Sequence, residues 1–398
     1  MNSPAFSPFP SGFDPQRVDS DPGSPQRLAA LTRSFAQRAA HYDVTGDFPH
    51  DNFAELHDAG LLRLALPARL GGNECDLATA LRVITAVAKG DPSSALILTM
   101  HYLHSLRLRT ASGWPAALQQ QVAADIVKNG ALINSLRVEP ALGTPARGGL
   151  PATRATRTEK GWQLDGEKIY STGSHGLSWL LVWGATDDPQ PLTGSFLVPA
   201  SASGVQIIDD WDHLGMRATC SHRVVFRRVT IPFDHAISLN ERPAAQDAQE
   251  TLWMSVLLPA VYDAVAQSAQ QWLHDFLQHR IPSALQAPLA ALPRFQALAG
   301  RIDTLLFSNQ TLLHSAATGN IDPVRGGQLK HLITSQAIEA VELAIEAAGN
   351  PGLSRRSDLQ RHLRNVLCAR IHTPQDDVIL QTAGQRVLAF SSNQQRSV

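Results

Sequence analysis

With 398 residues, 43% of them hydrophobic and 17% charged, the chain is long enough for two or three globular domains with a sizeable core. Its 34 Lys and Arg against 35 Asp and Glu give neither nucleic acid nor an anionic membrane an electrostatic hold. The 15 His follow no metal-ligand spacing, Cys75, Cys220 and Cys368 are too few and scattered for a disulfide framework and fit a reducing cytoplasm, and no apolar run reaches the ~20 residues of a membrane span.

Residues 1–23, rich in Pro, Ser and Asp and without an apolar stretch, read as a loose arm and not as a signal peptide. Ser24 is placed as an N-cap with Pro25 in the first turn, and Leu28, Leu31, Phe35 and Ala39 follow at helical spacing. A second helix is expected after Pro49, on Phe53, Leu56 and Ala59, ended by Gly60. Residues 77–88 and 93–108 are strongly apolar helices. The second carries His101, Tyr102, His104 and Ser105, polar groups that a buried helix must pair, most simply with carbonyls across the bundle. Residues 24–130 therefore read as one α-helical domain.

The texture changes at Ala131. Between there and Pro232, short runs rich in Val, Ile, Phe and Trp alternate with Gly, Pro and Asp, the pattern of a small β-domain, assigned here to residues 131–240. The runs include Trp162-Gln163-Leu164, Lys168-Ile169-Tyr170-Ser171-Thr172, Trp179-Leu180-Leu181-Val182-Trp183 and Arg223-Val224-Val225-Phe226. Residues 245–278 then predict a long helix that Pro259 should kink or break. Residues 295–317 and 329–348 predict two more, the latter closed by Gly349-Asn350-Pro351-Gly352, and residues 359–369 and 377–388 finish a bundle spanning 241–398.

These segments, in this order, resemble the acyl-CoA dehydrogenase superfamily from about residue 26 to residue 390. Val138-Glu139-Pro140-Ala141-Leu142-Gly143-Thr144-Pro145 is similar to its Thr-Glu-Pro-Gly-Ala-Gly-Ser-Asp loop, Gly166-Glu167-Lys168-Ile169-Tyr170-Ser171-Thr172-Gly173 to its Gly-x-Lys-x-x-x-Thr strand, and Leu214-Gly215-Met216-Arg217-Ala218-Thr219-Cys220-Ser221 to its Gly-Met-Arg-x-Thr-x-Ser segment. The resemblance implies an α+β fold with an N-terminal helical domain, a middle β-barrel domain and a C-terminal four-helix bundle, usually a homotetramer with one FAD (or FMN) per subunit. It implies flavin contacts at Val138, Thr144, Tyr170 and Thr172, with Val138 lacking the hydroxyl of the family's Thr. Arg280 and the turn of Gly349, Asn350 and Gly352 resemble the positions that receive the distal half of a neighbouring subunit's flavin.

One departure bears on the reaction. Desaturating an acyl thioester needs a carboxylate to take the α-proton. Many members carry that Glu a few residues after Arg-Asp, and counting from Arg364-Asn365 the position falls on Thr373. Other members carry it on the first bundle helix, near Leu252 here; Glu250 is close but turned by about 200° along a helix. Asp376 and Asp377 are near the first position and suit the cap of the last helix. Arg361-His362-Leu363-Arg364-Asn365 and His372-Thr373-Pro374 resemble instead the dibenzothiophene-monooxygenase-like branch, which uses reduced flavin and oxygen. Such chemistry needs donors around the oxygen being activated, and His372, His101, Asn134 and Ser171 are suitable types. The expectation is a flavin-dependent monooxygenase served by a flavin reductase. The alternatives are an acyl-CoA dehydrogenase with a displaced base, acting on an acyl thioester with an electron-transfer flavoprotein, and a non-catalytic flavin- or acyl-binding relative.

Overall fold

The structure is a computed structural model and describes residues 22–109, 113–142, 149–240 and 248–394, with side chains to Leu388. Five helices come first: α1 (Pro25–Thr45), α2 (His50–Asp58), α3 (Leu77–Gly90), α4 (Pro92–Leu106) and α5 (Ala116–Asn129). Phe35, Leu56, Val83 and Val87 pack between them, each fully buried. Asp91 sets the start of α4, its carboxylate accepting from the Ser93 and Ser94 N–H groups at 3.3 and 3.1 Å. Ser24 holds the N-cap position of α1 but makes no side-chain capping bond. Helix α5 has a weak sequence signature because its apolar stripe is short, with Leu118, Val122 and Ile126 buried among Ala and Gln.

The middle segment forms one eight-stranded mixed sheet. Its strands are β1 (Leu132–Leu136), β2 (Arg154–Thr158), β3 (Gly161–Lys168), β4 (Leu177–Thr186), β5 (Thr193–Pro199), β6 (Val205–Ile208), β7 (Arg223–Ile231) and β8 (Ala236–Asn240). The order is β6-β7-β3-β2-β4-β5-β8, and β4 forks, pairing in parallel with β1 through Leu177–Val182 and with β2 through Ala185 and Thr186. Strands β2 and β8 escaped the sequence reading because each buries a single residue, Ala155 and Ile237. The run from Lys168 to Thr172 is corrected. Strand β3 ends at Lys168, and Tyr170 turns the chain with φ 56°. The turn lets the Ser171 and Gly173 N–H groups bond the His222 and Thr219 carbonyls at 3.3 and 2.7 Å.

The C-terminal helices are α6 (Ala248–His279), α7 (Pro293–Ala317), α8 (Gly326–Ala348), the single turn α9 (Asn350–Leu353), α10 (Asp358–Leu367) and α11 (Asp376–Gln394). Helix α6 runs through Pro259 without a break and packs on α8 within the bundle and on α3 and α4 outside it. Its buried face of Val256, Leu257, Val261, Ala264 and Val265 is the axis of the molecule. Arg364 and Asn365 tie the three layers together. The Arg364 guanidinium bonds Asp43 at the end of α1 and the Leu214 carbonyl at 3.0 and 2.8 Å, and Asn365 Oδ1 accepts the Met216 N–H at 2.7 Å. Gly215 permits this approach, since a Cβ there would lie 2.2 Å from the Arg364 carbonyl oxygen. No helix of the described residues is long and apolar enough to cross a membrane.

Candidate functional site

The three sequence motifs of the middle domain converge on one cradle. After β1 the chain runs past Val138, whose carbonyl accepts the Ile169 N–H at 3.0 Å. Beneath it Glu139 is 1% exposed and Lys168 is fully buried, 2.6 Å apart. Glu139 also accepts from the Ala152 and Thr153 N–H groups and the Thr153 hydroxyl, at 2.6, 3.0 and 2.7 Å. Burial raises its carboxyl, but the Lys168, Thr153 and Ala152 bonds outweigh that and hold it below its ordinary value. This pair pins the Val138 loop to the end of β3, where the turn of Tyr170, Ser171 and Thr172 begins.

The turn gathers an exposed aromatic ring and several small polar side chains. Tyr170 is 55% exposed, its ring edge-on to Trp211 and His213 at 6.3 and 6.1 Å, and those two rings stack at 3.6 Å. Asn134 on β1 donates from Nδ2 to the Thr172 carbonyl at 2.8 Å, and its Oδ1 accepts the Ser135 N–H at 2.7 Å. The Thr172 hydroxyl pairs with Ser221 at 3.1 Å. The Ser171 hydroxyl is buried and has no hydrogen-bond partner among the described residues. An orphaned buried hydroxyl beside an exposed aromatic wall and small hydroxyls fits the polar rim and flat face of a flavin ring. Val138 brings no side-chain hydrogen bond to it. Thr144 lies outside the described residues.

The remaining predicted residues separate into three groups. His101 is a core residue: Nε2 bonds the Leu62 carbonyl at 2.8 Å and Nδ1 accepts the Ile133 N–H at 3.3 Å, so neither nitrogen is left for a ligand. Burial pushes its pKa down to about 4. His372 follows the 3-10 turn Cys368–Ile371, with its ring 5.6 Å from that of Tyr262. Burial, and then Lys330, bring it down to about 4, so the ring is neutral. Arg280 is exposed at the end of α6, and Gly349, with φ 63°, closes α8 by donating its N–H to the Ile345 carbonyl at 2.9 Å. Asn350 is exposed, and Gly352 packs against Ala348 and Leu359. These four positions belong to the bundle and lie apart from the cradle.

Thr373 and Pro374 line a cavity of ≈ 50 Å³ with Thr251, Met254, Leu258 and Lys330. Two carboxylates near this position are each held by a cation. Asp376 accepts from Lys330 Nζ at 3.2 Å, and Glu250 takes Arg107 in a two-point grip at 2.9 and 3.0 Å. The fold joins Glu250 and His104, distant in sequence, with His104 Nδ1 buried, without a hydrogen bond among the described residues and 3.9 Å from Glu250. His175, Cys220 and His222 are grouped closely enough to suggest a metal. However, His222 Nδ1 accepts the Trp211 N–H at 3.0 Å, so Nε2 keeps its proton in the neutral ring and has no lone pair to give.

Comparison with known proteins agrees with this geometry. The acyl-CoA dehydrogenase N-terminal, middle and C-terminal domains match residues 27–109, 138–229 and 264–376. YdbM of Bacillus subtilis (strain 168), described as of acyl-CoA dehydrogenase type, is 31% identical over 362 residues, covering 89% of this chain and 94% of the relative. The structure of KijD3 in complex with FMN and dTDP-3-amino-2,3,6-trideoxy-4-keto-3-methyl-D-glucose is 25% identical, covers 92% of each chain and has a TM-score of 0.77. Dibenzothiophene monooxygenase TdsC from Paenibacillus sp. A11-2, at 20% identity, covers 91% of this chain and 96% of its own with a TM-score of 0.75, a likeness of fold alone. Matched along its three domains, the chain belongs to the acyl-CoA dehydrogenase family and is a flavoprotein oxidoreductase of that fold.

Proposed function

We propose that this protein is a monooxygenase that uses reduced flavin and dioxygen, with the flavin supplied by a separate reductase. The observation that carries the reading is the neutral Thr373 on the cavity wall where many relatives place their carboxylate base, with Asp376 and Glu250 each held by a cation. A two-point guanidinium grip fixes both oxygens of a carboxylate on its arginine, so Glu250 would have to leave Arg107 to reach a substrate. FMN or FAD, when bound and reduced, supplies the electrons for oxygen activation. The chain's own residues do the rest. Tyr170 walls the ring, Asn134 fixes the Thr172 carbonyl, and the Ser171 hydroxyl is free to donate. Neutral His372 brings an N–H without charge. Arg280 and the Gly349 to Gly352 turn are assigned to the flavin of a neighbouring subunit in a homotetramer. Turnover with a reductase under ¹⁸O₂ tests the reading: product carrying one labelled oxygen supports it, and product oxidised without label overturns it.

A second reading is an acyl-CoA dehydrogenase whose base is Glu250. The placement of that carboxylate, 6% exposed at the joint of α4 and α6, favours it. It requires Arg107 to release Glu250 when substrate binds.

A further inference from the structure

The aromatic wall of the cradle is assembled from two segments that are distant in sequence. Tyr170 stands on the turn after β3, and Trp211 and His213, stacked on each other at 3.6 Å, stand on the loop after β6. A single residue ties both segments down. The His222 carbonyl accepts the Ser171 N–H at 3.3 Å, and His222 Nδ1 accepts the Trp211 N–H at 3.0 Å. The second of these bonds depends on protonation. A neutral imidazole with its proton on Nε2 offers Nδ1 as an acceptor, whereas an imidazolium carries a proton on both nitrogens and accepts on neither.

The surroundings favour the neutral ring. His222 is 8% exposed, and the titratable groups facing it come from its own segment and two others. His175 stacks on its ring at 4.5 Å, and Asp209 lies 4.0 Å from His222 Nε2 and 2.7 Å from His175 Nε2. Asp210, paired with Arg223 at 3.1 Å, and the Cys220 thiol complete the set. Burial, then His175, bring the pKa of His222 below the ordinary 6.5, against the opposite pull of Asp209 and Asp210. Trp211 has a second hold, its Nε1 donating to the Met216 carbonyl at 3.3 Å, so losing the His222 bond loosens the loop without freeing it.

We propose that His222 is a positioning residue for the flavin: neutral, it holds Trp211 and the His213 ring stacked on it in place beside Tyr170, and protonated, it lets that wall slacken. A wall held in place before the flavin arrives binds it more tightly than one that must be ordered on binding. The sign of the pH dependence follows. The form that holds the wall is the neutral one, so flavin affinity is complete above the folded pKa of His222 and falls as pH drops through it, below 6.5. The inference rests on the cradle as the flavin's seat and is independent of the reaction the flavin carries out.

The test is titration of the flavin-free protein with FMN, read by fluorescence between about pH 5 and pH 8. His222→Asn places an amide oxygen near the Nδ1 position and cannot titrate, so it should keep neutral-pH affinity and lack the extra decline in acid. That extra decline in the unaltered protein is expected to be about threefold to tenfold, the scale of one hydrogen bond. His222→Phe, with no acceptor, should bind FMN at neutral pH as weakly as the unaltered protein does in acid. The phosphate of FMN titrates alike in every variant, so the difference between profiles is what counts. An acid decline as steep in His222→Asn as in the unaltered protein overturns the proposal, and so does full neutral-pH affinity in His222→Phe. If His222→Phe does not fold, the comparison with His222→Asn decides alone. Ser171→Ala tests the seat separately: it should lower affinity by one factor at every pH, and an unchanged affinity there would dismiss the cradle itself.

Discussion

Replacing Lys168 by Met should unfasten the flavin cradle by a calculable amount. The ammonium is fully buried and 2.6 Å from Glu139, so its removal strands a buried carboxylate, a change that costs about 3–5 kcal/mol where nothing else compensates. Glu139 keeps the Ala152 N–H, the Thr153 N–H and the Thr153 hydroxyl, which places the loss near the lower end, about 3 kcal/mol. Urea unfolding followed by tryptophan emission is the assay, since Trp162, Trp179 and Trp183 all lie in the sheet around this pair. The double variant Lys168→Met with Glu139→Gln should recover part of the loss, because no charge is then stranded. The pH dependence has a definite sign. Glu139 is held below its ordinary 4.5 and burial brings Lys168 down to about 8, so the pair's contribution is complete between those two pH values, fades as pH falls through the lower folded value of Glu139, and is lost again as Lys168 gives up its proton above about 8. The gap between the unaltered protein and Lys168→Met should therefore narrow in acid. A loss below about 1 kcal/mol at neutral pH, typical of an exposed ion pair, or a gap that widens in acid, would refute the reasoning.

Three other changes separate ligand-facing residues from structural ones. Ser171→Ala removes a buried hydroxyl without a partner, so stability without flavin should hold or rise slightly while flavin affinity falls about tenfold, one hydrogen bond's worth; fluorescence titration reads the affinity. His101→Phe leaves the Leu62 carbonyl and the Ile133 N–H unpaired and should cost about 2–4 kcal/mol in thermal or urea unfolding, with turnover per folded molecule retained. Arg364→Met cuts the tie from the bundle to Asp43 and Leu214, and limited proteolysis should then release the N-terminal helical layer faster than the bundle.

The helices were legible where one apolar face carries the pattern. Leu28, Leu31, Phe35 and Ala39 are all buried on α1 as their spacing implies. Helix α5 and strands β2 and β8 were missed because their buried faces are too narrow to stand out from surrounding loops. The motifs single out Tyr170 and Thr172, but a turn with φ 56° at a Tyr is invisible to strand propensity; the Ser171 and Gly173 N–H groups that follow it bond the His222 and Thr219 carbonyls of a distant segment. His101 shows the opposite failure. Its residue type suits proton chemistry, yet both nitrogens serve the backbone of other segments. The grip of Arg107 on Glu250 joins residues 143 positions apart, and no local pattern could pair them. Glu250 alone reads as an acidic residue suited to the first turn of a helix.

The central claim is that Thr373 leaves the α-proton without a base, Asp376 and Glu250 each being held by a cation. Anaerobic titration of the flavin-loaded protein with acyl-CoAs of graded chain length tests it most directly, with Thr373→Glu measured alongside. The account predicts that the flavin band of the unaltered protein stays at full height with every thioester. Bleaching of that band would contradict it, and loss of the bleaching in Glu250→Gln would then identify the base.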